Sequence, residues 1–192
     1  MAHVPRFVLW GLEMNNKEVL LQLSACREEL KGIHQLLLGM GEGANPTPYM
    51  RRYAVIRASG AIEVGFKKII ADKVDADCAI QARNFVKKKI RDSSINPKLG
   101  QIENILSDFD QRWRKKFEEL IGLGDKPKFN TALNKLVSAR NEFAHGGTPN
   151  IDIEHTIEYY EGGCEVLRIL DQVVHHQFEE GEDEPINELE KI

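Results

Sequence analysis

The sequence predicts an all-α protein, a helical bundle of about five to seven helices. Apolar residues recur at three- and four-residue steps, and no run alternates apolar with polar residues long enough to make a strand. Composition agrees, since 42% hydrophobic and 29% charged residues describe an ordinary globular chain and exclude wholesale disorder and fibrous repeats. At 192 residues the chain suits one domain, expected over residues 1–178, followed by an acidic tail over 179–192 that is expected to be disordered.

The elements are read in order. A first helix is expected from about Glu13 to Leu38, with Leu20, Leu23, Leu30, Ile33 and Leu37 on one side and a break at Gly39, Gly41 and Gly43. Thr47-Pro48 reads as an N-cap with proline in the first turn, opening a helix through Val55, Ile56, Ser59, Ile62, Phe66 and Ile70, the expected centre of the core. Asp75 or Asp77 is expected to start a third helix through Ala79, Ala82, Phe85, Val86 and Lys87-Lys88-Lys89, interrupted by Ser93-Ser94 and Asn96-Pro97. A helix from Pro97 carries Ile102, Ile105, Leu106 and Phe109. Its continuation carries Trp113, Phe117, Leu120 and Ile121, with a break expected at Asp108 or Asp110 and an end at Gly122 and Gly124. The next helix runs from Pro127 to about His145 and stops at Gly146-Gly147. The last begins near Asn150 or Asp152 and runs through Ile157, Tyr160, Leu167 and Val174 to the acidic stretch Glu179 to Glu184.

Several classes are disfavoured. The longest apolar runs, such as Phe7-Val8-Leu9-Trp10, fall far short of the ~20 residues of a spanning helix. The amino-terminal stretch is too brief for a signal peptide and lacks a small-residue cleavage site, so secretion is not expected. Cys26, Cys78 and Cys164 are scattered and odd in number, which suits a reducing cytoplasm. No H-E-x-x-H and no tight carboxylate cluster suggests a metal, and no cofactor is expected. The net charge of −4 is unevenly spread: residues 47–145 hold 20 basic against 12 acidic residues, and residues 146–192 hold 2 against 13. A basic middle suits a phosphate-bearing ligand.

One segment concentrates chemistry. Ser138-Ala139-Arg140-Asn141-Glu142-Phe143-Ala144-His145-Gly146-Gly147 places a permanent cation, an amide and an imidazole at a helix end. Leu133, Val137, Arg140 and Ala144 share a stripe, so Arg140 takes a position the pattern assigns to the interior and needs a partner there. Asn141 and His145 share a face, whereas Arg140 and His145 lie about 140° apart on a straight helix. Glu63, among Ser59, Ile62, Phe66 and Ile70, is a candidate partner of Arg140, the alternative being a boundary glutamate that faces solvent.

This segment resembles the signature of the HEPN superfamily, an Arg followed by a polar residue and, after four to six intervening residues, a His. Arg140, Asn141 and His145 match those positions, and Arg52-Tyr53-Ala54-Val55-Ile56-Arg57-Ala58-Ser59-Gly60-Ala61-Ile62-Glu63 resembles the second helix of the RiboL-PSP branch. Arg27 with His34 and Arg168 with His175 also satisfy the bare spacing, but neither has a small polar residue after the Arg or a Gly after the His. The resemblance implies a metal-independent endoribonuclease of a defence or toxin–antitoxin system. It also implies a homodimer whose Arg and His side chains line one cleft, with a separately encoded antitoxin or defence partner as a candidate restraint.

In that scheme His145 is general base or acid, Arg140 stabilises transition-state charge, and Asn141 orients the phosphate or the imidazole. Arg51, Arg52, Lys87 and Lys88 are candidate contacts to the RNA backbone. A catalytically silent interaction or RNA-binding module of the same superfamily, and an unrelated helical adaptor with a capped helix, both stay open.

Overall fold

The computed structural model describes residues 13–40, 44–76, 78–147 and 151–178. Among them are seven α-helices and one π-helical turn: α1 (Lys17–Met40), α2 (Thr47–Asp75), α3 (Ile80–Val86), the π-turn (Lys87–Arg91), α4 (Leu99–Phe109), α5 (Gln111–Leu123), α6 (Lys126–Ala144) and α7 (Ile153–Val174). None of these helices is long and apolar enough to cross a membrane. The acidic stretch from Glu179 and the Phe7 to Trp10 run lie outside the described residues.

The core forms where α2 and α7 meet, with α1 and α6 closing over them. Phe66 and Ile70 of α2, Leu30 of α1, Leu133 and Leu136 of α6, and Tyr160 and Leu167 of α7 are all buried. Each such aliphatic side chain contributes about 1.5–3 kcal/mol by leaving water. Three glycines of α2 and α7 lie close to neighbouring helices, the tightest being Gly162, where a Cβ would stand 2.7 Å from Ala132 Cβ of α6. A Cβ at Gly65 would stand 2.8 Å from Leu167 Cδ1, and one at Gly163 would stand 2.9 Å from Ile62 Cδ1. The phenol of buried Tyr160 donates to the Leu23 carbonyl at 2.6 Å, so this polar tip is not left unpaired in the core.

Three aspartates start helices, each accepting a backbone N–H: Asp110 from Arg112 at 2.8 Å, Asp125 from Lys128 at 3.0 Å and Asp152 from His155 at 2.7 Å. Asp110 thus makes the break expected between α4 and α5. Its carboxyl is held below the usual aspartate range by hydrogen bonds from the Arg112 side chain, which outweigh burial. The folded state therefore gains stability from Asp110 that is complete above the ordinary value of 3.8 and fades as pH falls through the depressed value. Thermal unfolding of Asp110→Asn is expected to lose part of the wild-type acid dependence, and an unchanged pH profile would contradict this coupling.

Several expected ends move. Asp75 does not open the third helix; it ends α2 and accepts from Arg91 Nη2 at 2.8 Å, while α3 starts at Ile80 behind an extended Ala79. Thr47 is the first residue of α2 rather than its cap, Pro46 occupying that position. The first helix starts at Lys17 rather than Glu13 and ends at Met40, close to the expected Gly39, while Gly41 and Gly43 lie outside the described residues. Pro97 precedes α4, whose N-cap is Lys98. Phe85 is exposed rather than packed, because the short α3 buries only Val86.

Candidate functional site

The site is built at the carboxyl end of α6. Leu133 and Val137 are buried, but the stripe they begin leaves the core before its end: Arg140 is half-buried and Ala144 is exposed. The interior position expected for Arg140 is therefore a boundary position, since the last turn of α6 outruns the apolar packing. From there the guanidinium reaches inward. Arg140 Nη2 donates to Glu63 Oε2 at 2.9 Å and to Asn96 Oδ1 at 2.7 Å, joining α6 to α2 and to the loop before α4. Glu63 also accepts from Lys67 Nζ at 2.7 Å, and that ammonium donates in turn to the Ser93 carbonyl.

The cluster has an electrostatic consequence. Two cations share one carboxylate, so a net positive charge survives beside the loop. Among the described residues the Nε and Nη1 hydrogens of Arg140 have no partner, which leaves donors for an anion while Nη2 fixes the direction of the group. The Arg140 and Glu63 side chains retain 32% and 23% of their exposure, so solvent screens the pair and the full penalty of a buried charge does not apply. Glu63→Gln is expected to cost about 1–2 kcal/mol in chemical denaturation. A loss near zero would show that the pair does not organise this end of the bundle.

His145 stands just beyond the helix. It is the C-cap, with φ −92° and ψ 13°, and its N–H donates to the Asn141 carbonyl at 3.1 Å. Gly146 then adopts φ 82°, a left-handed conformation that favours glycine, so that its N–H reaches the Phe143 carbonyl at 3.1 Å and Gly147 N–H reaches Glu142 at 2.9 Å. This paired Schellman arrangement stops the helix and leaves the imidazole exposed, with no ring hydrogen bond among the described residues. Asn141 is half-buried, one turn before His145 on the same side of the helix.

The other two Arg–His spacings are consumed structurally. Arg27 is buried on Glu161 and His34 meets Glu154 at 2.9 Å, while Arg168 pairs with Glu165 at 2.6 Å and His175 Nδ1 lies 2.8 Å from the Asp171 carbonyl oxygen.

The four proposed backbone contacts separate. The Arg52 guanidinium lies over the Phe143 ring, 5.1 Å from its centroid, which brings α2 against the last turn of α6. Arg51 is half-buried, and its charge is felt at Asp152, the cap of α7. Lys87 and Lys88 are exposed on the π-turn, where Lys87 Nζ pairs with Asp92 at 2.6 Å.

Sequence reasoning missed Lys67, Asn96 and the Arg52–Phe143 contact. It also missed His155, whose Nδ1 lies 2.8 Å from both oxygens of Asp152 and which lines a cleft of about 310 Å³ between α6 and α7 with Ser138, Glu142 and Tyr159. Among the described residues, no three His, Cys, Asp or Glu side chains gather as a metal site.

No curated protein and no solved structure matches the chain. A family model described as RiboL-PSP-HEPN matches residues 22–176, from within α1 to just past α7. That span contains the Arg140–Glu63–Asn96 cluster and His145 as well as the helices that hold them, and the chain belongs to the RiboL-PSP-HEPN family.

Proposed function

We propose that this protein is a metal-independent endoribonuclease that uses Arg140 and His145, acting as a homodimer in a prokaryotic defence or toxin–antitoxin system. The observation that carries the reading is an Arg140 guanidinium aimed by Glu63 and Asn96 with donors to spare, five residues before an exposed imidazole on a fixed C-cap. RNA brings its own nucleophile. The 2′-oxygen loses its proton and attacks the adjacent phosphorus, the bond to the 5′-oxygen breaks, and the departing oxygen takes a proton.

His145 performs one of those proton transfers, and twofold pairing supplies a second imidazole for the other. Arg140 stabilises the charge that builds on the phosphoryl oxygens. Asn141, on the face of His145, orients the phosphate or the ring. The products are a 2′,3′-cyclic phosphate and a 5′-hydroxyl. A cytoplasmic setting accords with three free cysteines, and a separately encoded antitoxin or defence partner would restrain the enzyme.

The test is cleavage of mixed RNA by purified protein in excess chelator, beside Arg140→Ala and His145→Ala variants of matched folding. Loss in both supports the reading. Cleavage abolished by chelator and retained by His145→Ala overturns it. A second reading, a catalytically silent interaction or RNA-binding module, is favoured by one feature: Nη2 of Arg140 already holds three elements together, which is a structural task. Wild-type protein that binds RNA without cutting it would decide for that module.

A further inference from the structure

Two exposed tyrosines on α2 flank Arg52, the residue whose guanidinium meets the last turn of α6, and have no task in the site described above. Tyr49 is 72% exposed and Tyr53 is 46% exposed. Being four residues apart, they share a helix face, with about 6 Å of rise between them. The Tyr53 phenol donates to Glu29 Oε1, and Glu29 Oε2 accepts from Arg57 Nε at 2.7 Å, so the second ring is held by its tip. Arg52 lies between them in sequence and about 60° around the helix from Tyr49. It has no carboxylate partner among the described residues, and its guanidinium is laid over Phe143, two positions before His145.

We infer that Tyr49, Arg52 and Tyr53 form a ledge for unpaired nucleotides next to the scissile phosphate, the tyrosine rings stacking on bases and Arg52 meeting the backbone. The inference rests on the ribonuclease reading of Arg140 and His145 and adds a preference for single-stranded RNA. The physical case is one of matched chemistry. Exposed aromatic faces at a spacing that admits successive bases, flanked by an unneutralised cation, suit a flexible polyanion with π-faces.

A duplex hides its base faces and gains nothing from such rings. A second copy of the chain suits the ledge less well. Twofold pairing sets a patch against itself and would bring two unneutralised Arg52 charges toward each other, while Glu29, the carboxylate that Tyr53 meets, is already engaged by Tyr53 and Arg57.

The experiment uses the full chain with His145→Ala, so that RNA survives, and a dye-labelled single-stranded RNA of a dozen nucleotides beside its blunt duplex. Adding Tyr49→Ala is expected to weaken single-strand binding by about tenfold, the scale of one lost base–aromatic stack, and to leave duplex binding unchanged. Tyr49→Phe keeps the ring and is expected to restore single-strand affinity. Equal affinity of the Tyr49→Ala and parent proteins for the single strand overturns the ledge, even where wild-type protein cleaves RNA. Tyr49→Ala that turns a dimer into a monomer assigns the face to a second copy and also overturns it. Tyrosine-dependent binding by a protein whose wild type never cleaves RNA would remove the nuclease reading and leave the ledge standing.

Discussion

Asp171→Ala is expected to destabilise the fold by about 2–4 kcal/mol, a large loss for one side chain far from the candidate site. Asp171 is 1% exposed on α7 and serves the beginning of α1. Its Oδ1 accepts the Asn16 N–H at 3.1 Å, and its Oδ2 accepts both the Asn15 N–H and Asn15 Nδ2. Asn16 passes the support on: its Oδ1 accepts Val19 N–H at 3.1 Å and its Nδ2 donates to Asp72 at 2.9 Å on α2. Alanine would leave the approach to α1 without its ionic acceptor and open a hole between the first and last helices. Asp171→Asn keeps one acceptor oxygen and is expected to lose less. Urea unfolding of the three proteins is the measurement. Midpoints that coincide within error would mean that solvent replaces the carboxylate at no cost.

The second large effect concerns rate. With RNA substrate and chelator present, His145→Ala is expected to lower kcat/KM by about 10²–10⁴, the span of a positioned proton-transfer group. Arg140→Ala is expected to lower it by about 10²–10³, as for removal of a preorganised transition-state donor. Folding should survive the second change, because Glu63 keeps Lys67 at 2.7 Å and is not left alone. Arg140→Lys separates charge from shape. A lysine keeps the cation but cannot hold Glu63 and Asn96 with one nitrogen while offering others to phosphate, so it is expected to recover little of the rate. Near-complete recovery by lysine would reduce the role of Arg140 to a point charge.

Much of the fold was legible because burial imposes a helical period on apolar residues. Leu23, Leu30, Ile62, Phe66, Ile70, Leu133, Leu167 and Leu170 are all buried in the helices that their spacing indicated. Glycines and aspartates marked the end of α6 and the starts of α5 and α7 through local hydrogen bonding, which neighbouring residues alone determine.

Failures arose where a side chain found its partner far along the sequence. Asp75 looks like a cap until Arg91 claims it, 16 residues later. Asn96 looks like loop punctuation, yet it holds Arg140 across 44 residues. The π-turn at Lys87–Arg91 widens the backbone in a stretch that a regular wheel treats as uniform, burying Ile90 and turning Arg91 toward Asp72 and Asp75. The Arg-to-His spacing itself was visible but not selective. Three-dimensional partnership separates the histidines, because the rings of His34 and His175 are engaged by an acidic residue or backbone while the His145 ring has no partner among the described residues.

The end of α6 falls between the two members of the Arg140–His145 pair, and the left-handed step at Gly146 follows both. One member is rooted in packed helix and tethered to two other segments; the other rides on the first residue past the spiral. On the ribonuclease reading proposed above, an incoming anion would meet a tethered guanidinium on one side and, on the other, an exposed ring carried by a fixed cap.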